Sequence, residues 1–221
     1  MRRLLLALAV LLSMITAALG QERFDFKVRE DMFAGFDGDT AAFDRAMKLI
    51  ADTLARHPDH AQALVWRGDG RLFLAGQAFR RGALTEGRRL YGEAMADLER
   101  AVALAPSDIA VRIPRATGLQ PFARGMRPFD RAEADRLTRI VIADLEFVLT
   151  ASTSFWNATH NRGELLGALA DSWLQLGEPV KAKAYLDRMT GELPDTSYAK
   201  NAALRLADPA AKAPLTCLGC H

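Results

Sequence analysis

The stretch GELLGALADSWLQLGEPVKAKAYLDRMTGELP, residues 163–194, decides the fold. Its apolar positions return every three or four residues, so Leu166, Leu169, Ala170 and Trp173 share one face of a first helix. Leu176-Gly177 supplies a turn, and a second helix follows at Val180. Ala182, Leu186 and Met189 share a face of that helix, and Pro194 stops it. A small residue, a large one four later and a small or medium one three further on suit close packing. The small side chain lets a neighbouring helix approach, and the large one fills the groove between them.

Working outward, the same signature stands twice more: Ala46, Ile50, Thr53 with Pro58, and Ala94, Leu98, Ala101 with Pro106. A fourth copy without its proline is read at Ala143, Phe147 and Thr150. Two longer apolar stripes have helical spacing: Phe43, Met47, Ile50 and Leu54, then Leu137, Val141, Leu145 and Val148. No run alternates as a strand does, so the sequence past residue 40 reads as all-α.

These residues resemble the tetratricopeptide repeat (TPR) family, whose unit of about 34 residues is a pair of antiparallel helices. The resemblance covers Thr40 to Leu206 and implies an irregular TPR-like solenoid of helical hairpins over residues 40–207. Pro58 and Pro106 are 48 residues apart, and Pro106 and Pro194 are 88 apart, so helices are lengthened or loops inserted. Residues 196–207 carry Tyr198, Ala202 and Leu206 on one stripe, as expected of a capping helix. Residues 21–39 form an N-terminal segment ahead of the repeats. The resemblance also implies a protein partner bound through the repeat surface.

Arg112 to Arg131 (RIPRATGLQPFARGMRPFDR) interrupts the pattern with prolines at 114, 121 and 128. Proline at that density predicts a long connecting loop. Its arginines at 112, 115, 124 and 127 are expected to pair with nearby acids, with an anion clamp as the alternative.

Residues 1–20, MRRLLLALAVLLSMITAALG, have two arginines, a short apolar run and a small-residue end, the layout of a cleavable signal peptide. The apolar run is short for a membrane span. A periplasmic location without a stable membrane anchor is therefore expected. The chain has 221 residues, with 29 basic and 27 acidic side chains. Residues 1–20 hold two of the basic ones, Arg2 and Arg3, and no acid, so beyond them 27 face 27. That balance argues against nucleic acid as a partner.

The two cysteines stand together at the other end, in Thr216-Cys217-Leu218-Gly219-Cys220-His221. Cys-x-x-Cys-His is the attachment signature of c-type haem. Two thiols at this spacing reach the two vinyl groups of one porphyrin, and the adjacent imidazole reaches the iron. In this resemblance to c-type cytochromes, Cys217 and Cys220 anchor haem c and His221 is an axial ligand. Asp208 to Pro214 (DPAAKAP) reads as a linker, so 208–221 is expected to be a flexible tail beyond the solenoid.

Since no residue of this sequence follows His221, a second iron ligand is expected from the solenoid or from another molecule. His57, His60, His160, Met126 and Met189 are the candidates. A redox-active disulfide, or zinc or copper bound by Cys217, Cys220 and His221, are the other readings of the tail. No catalytic triad, zinc-protease helix or phosphate loop is present. The chain is thus expected to be a non-enzymatic electron carrier or haem-bearing subunit. A non-redox periplasmic scaffold is the alternative.

Overall fold

A computed structural model of the chain describes residues 23–151 and 157–216. Among the described residues every regular element is helical: α1 (Phe24–Phe36), α2 (Thr40–Arg56), α3 (Ala61–Arg80), α4 (Leu84–Leu104) and α5 (Ile109–Met126). They are followed by α6 (Arg131–Thr150), α7 (Thr159–Gln175), α8 (Pro179–Glu192) and α9 (Ser197–Ala207). Consecutive helices pack as hairpins, α1 with α2, α3 with α4, α5 with α6 and α7 with α8. The hairpins stack because α1 lies on α3, α3 on α5, and α9 on α7 and α8. The result is an all-α, solenoid-like array.

Helix starts follow from short polar caps. Asp39, Asp108, Asp130 and Thr196 each accept a backbone N–H from the first turn of α2, α5, α6 and α9. Pro179 opens α8, where its missing N–H costs nothing. Gly177, with φ of +76°, makes the reversal between α7 and α8 that a side chain would resist.

The small-large-medium signature is the packing device expected of it. All nine residues of its three copies are buried, and α2, α4 and α8 each end three residues after the third position. Leu98 shows how the fit works. Its Cδ2 lies 2.6 Å from the place a Cβ on Gly68 of α3 would occupy, so bulk on one helix enters space left by the other.

Four expectations change. The fourth copy is out of register: Ala143 and Thr150 are exposed, whereas Val141, Leu145 and Val148 carry the same spacing in the core. The stack also begins earlier than residue 40. Phe24, Val28, Met32 and Gly35 of α1 are buried against α2 and α3, inside the segment 21–39. Aromatic residues on several faces of α1 hide its periodicity, for Phe33 also meets Trp66 of α3, edge-on at 6.0 Å.

The third change is the proline-rich stretch, which is mostly helix: Pro114 and Pro121 lie inside α5, and only Pro128 falls in the turn before α6. Each internal proline removes one helical hydrogen bond, at a cost of about 3 kcal/mol. Burial of Val111, Ala116, Leu119 and Ala123 between α3 and α6 offsets that loss. Its arginines do pair with acids of the chain. Arg112 and Arg115 both hold Asp144 of α6, at 2.6–2.7 Å, and Asp144 is wholly buried. Arg124 reaches Asp171 of α7 at 2.8 Å, and Arg127 reaches Asp135 at 2.6 Å. The preceding hairpin repeats the device, with Arg67 and Arg71 of α3 on Asp97 of α4. The fourth change concerns residues 208–216, which belong to the site below.

Candidate functional site

Cys217, Cys220 and His221 lie outside the described residues, as do residues 1–22. The segment leading to them is well defined. Residues 208–216, expected to hang free, form a strap between α7 and α9. Their composition explains both readings. Pro209 and Pro214 interrupt any regular helix or strand, yet the carbonyls of the segment still need donors. Arg205 of α9 donates to Pro209 O at 2.7 Å and to Ala213 O at 3.1 Å. One turn earlier on α9, Asn201 donates to Pro214 O at 2.7 Å. Asp208 starts the strap by accepting the Ala210 N–H at 2.9 Å.

Apolar contacts complete the docking. Leu215 is 3% exposed and packs with Leu166 and Ala170 of α7, Leu186 of α8, and Tyr198 and Ala202 of α9. Its carbonyl lies directly on Gly167, where a Cβ would overlap it. Gly163, one turn earlier on α7, plays the same part for Tyr198, whose ring comes within 2.5 Å of a Cβ built there. Two glycines four apart thus let α9 and the strap press against the backbone of α7. The strap begins at Pro209, beside Leu174, Pro179, Val180, Leu186 and Leu206, which line a groove of about 230 Å³. It then runs from Arg205 toward Asn201, in the direction of Tyr198.

The structure separates the candidate iron ligands. Met189 is fully buried in the core between α7, α8 and α9, and Met126 packs against the main core from the end of α5. His57 is exposed at the end of α2, among the early hairpins. His60 caps α3: its Nδ1 accepts the Ala63 N–H at 3.2 Å and its ring meets Phe24 at 4.9 Å. Burial lowers the His60 pKa below the ordinary imidazole value. A neutral ring whose Nδ1 accepts carries its proton on Nε2, which leaves no lone pair for a metal.

His160 differs. It lies in the first turn of α7, exposed, with Nδ1 2.9 Å from the hydroxyl of Tyr198. That hydroxyl donates to Glu164 Oε1 at 2.7 Å. Which of the ring nitrogen and the hydroxyl donates in the His160–Tyr198 bond follows the tautomer of the ring.

Among the described residues no three His, Cys, Asp or Glu side chains converge as a metal centre, and no helix is long and apolar enough to cross a membrane. One further polar group stands out. Asp69 of α3 is 4% exposed and pressed against Gly118 of α5, and its Oδ1 has no hydrogen-bond partner among the described residues. Desolvation pushes its pKa well above the usual carboxylate range. No signal in the sequence separates Asp69 from the chain's other aspartates, because only the packing of α3 on α5 buries it. No family model, curated protein or solved structure matches this chain.

Proposed function

We propose that this chain is an exported, TPR-type helical array that carries one covalent c-type haem at its Cys-x-x-Cys-His end. It works in periplasmic electron transfer, or as a haem-bearing subunit docked on a partner redox protein. The observation that carries this reading is the motif Cys217-Leu218-Gly219-Cys220-His221, together with the absence of any other cysteine from the sequence.

The donor set fits the group. Cys217 and Cys220 would hold the porphyrin through two thioethers, each thiol adding its sulfur and its hydrogen across one vinyl C=C with no net oxidation or reduction. His221 supplies an imidazole of the kind haem iron takes. Bound in this way, the haem supplies a one-electron Fe(III)/Fe(II) couple, and a redox protein partner supplies or accepts the electron.

The strap supports the reading as well. A carrier needs its cofactor held against a surface that a partner recognises, and a tail anchored by Leu215, Asn201 and Arg205 begins from a fixed point on α7 and α9. The repeat array is the surface such a partner would meet.

Expression with the cytochrome c maturation machinery tests this. Covalent haem staining in a denaturing gel, and its loss in the Cys217→Ser, Cys220→Ser double variant, is the expected outcome. A colourless product from the unaltered chain would refute it. In that event the remaining reading is a non-redox scaffold, favoured by the exposed apolar side chain of Val180 at the groove.

A further inference from the structure

We infer that the edge of the array formed by the turns α3/α4, α5/α6 and α7/α8 docks reversibly on an anionic phospholipid surface. Leu84 and Phe129 enter the headgroup layer, and the arginines around them meet its phosphates. No residue beyond Thr216 enters into this, so it stands apart from the haem reading.

Three observations converge. The first is that these turns share an edge. Near their starts α3 and α5 are joined by Gln62, whose Nε2 donates to Asp108 Oδ2 at 2.9 Å. Near their ends Phe79 meets Phe122, with ring centroids 6.4 Å apart. The two helices therefore run parallel, and residues 81–83 lie beside residues 127–130. The direction continues in α7, since Gln120 of α5 donates to Ala168 O at 3.1 Å and Arg124, one turn on, reaches Asp171. Its turn, residues 176–178, is next in line.

The second is what this edge presents. Six large apolar side chains are exposed among the described residues, and three stand beside these turns: Leu84 at 52%, Phe129 at 90% and Val180 at 83%. Exposed apolar groups gathered in one place mark a contact surface. The backbone around Phe129 is fixed by the N–H groups of Phe129 and Asp130, which both donate to Met126 O at 2.9 Å. Nothing in that turn requires an aromatic ring. Val180, at the rim of the groove described above, ends the row.

The third is charge, which balances over the chain but not over its two edges. Residues 80–89 hold four arginines against Glu86 alone, and residues 124–131 hold three against Asp130 alone. Arg124 and Arg127 turn to Asp171 and Asp135. Arg80 and Arg88 are exposed and meet no carboxylate among the described residues, and Arg131 lies 3.9 Å from Asp135. In the α7/α8 turn Glu178 is matched by Lys181 at 3.6 Å. The turns at the opposite edge, 57–60, 105–108 and 193–196, each hold an aspartate and no arginine or lysine. The patch stops at the first hairpin, whose turn carries Asp37 and Asp39. An anionic partner is thus attracted to one edge and repelled by the other.

A lipid surface fits these features better than a folded protein. Apolar side chains that protrude singly would each need a pocket on a rigid partner. Among headgroups each can sink alone, while arginine stems lie along the acyl boundary and their heads meet phosphate. Docking of this kind is peripheral and needs no spanning helix.

Sedimentation of the full-length protein with vesicles tests this. It should bind vesicles of equal parts phosphatidylglycerol and phosphatidylcholine and not those of phosphatidylcholine alone. Raising salt from about 0.05 to about 0.5 M should release it. Phe129→Ser should weaken binding about tenfold, and the double variant Arg80→Glu, Arg88→Glu should do the same. All three positions are exposed, and helical circular dichroism checks that the variants fold. Phe129→Trp reads the contact directly, for its added emission should shift to the blue on the anionic vesicles. Leu104→Ser, exposed at the opposite edge, should bind as the unaltered protein does. Equal binding by Phe129→Ser and the unaltered protein would overturn the inference. So would an unaltered protein that ignores anionic vesicles, which would leave the edge to an acidic protein partner. Haem attachment is read separately by staining, so failure of one reading is distinguishable from failure of the other.

Discussion

Asp69 and Asp144 are both buried carboxylates, and their surroundings give them opposite energetics. Asp144 is held by two guanidinium groups from α5. Removing it strands two arginines that are themselves mostly buried, and breaking such a group costs about 3–5 kcal/mol. Asp144→Ala should therefore lose about that much in urea unfolding. Arg112→Ala should lose less, since Arg115 keeps its two hydrogen bonds. Asp69 has no such support. Its folded-state pKa lies above the value of about 3.9 found in unfolded chains. The folded protein therefore holds a proton that the unfolded chain releases. Stability is complete below the unfolded pKa and is lost as pH rises through the folded one. Asp69→Asn should flatten that decline, by on the order of 1–3 kcal/mol at neutral pH, the usual cost of an unpaired buried polar group. Urea midpoints at pH 5 and pH 8, compared between the two proteins, decide it. An equal slope in both would show that Asp69 is not the source. Neither carboxylate is legible from sequence, because each is defined by the helix packed against it.

At the scale of the element, the sequence was informative where a helix has one apolar face and silent where packing overrides propensity. Ala182, Leu186 and Met189 could be read directly because the spacing, the preceding turn and the following proline agree. In α6 the stripe was legible but the repeat register was not, since Val141 fills a position that is alanine in the other three copies. Leu145→Ala should accordingly cost about 2–5 kcal/mol, while Ala143→Ser, two residues away on an exposed face, should stay within about 0.5 kcal/mol. Equal costs would restore the original register. For α5, the prolines pointed to a loop, and only the buried contacts with α3 and α6 explain the helix. The strap was hidden for a related reason. Its alanines and prolines are ordinary linker residues, and its partners Asn201 and Arg205 look like solvent-facing helix residues. Gly167→Val should displace the Leu215 carbonyl and release it. Trypsin cleavage after exposed Lys212 should then accelerate at least tenfold, with the helical signal unchanged. Unaltered cleavage would mean that the strap does not depend on this contact.

For the molecule as a whole, the hairpin stack accounts for the core, and some of the charges that balance beyond residue 20 tie its helices together. Arginines cross between helices at Asp97, Asp144 and Asp171. Such a stack offers a stable platform, and the proposed function depends on what Cys217, Cys220 and His221 carry. The strap that precedes this motif is itself seated where α7, α8 and α9 meet. The intact mass of the protein recovered after export, from cells with the cytochrome c maturation machinery, tests this most directly. The account predicts a polypeptide processed near Gly20 and heavier by about 616 Da, one haem joined through Cys217 and Cys220. A mass equal to the bare processed chain, or about 2 Da less for a Cys217–Cys220 disulfide, would contradict it.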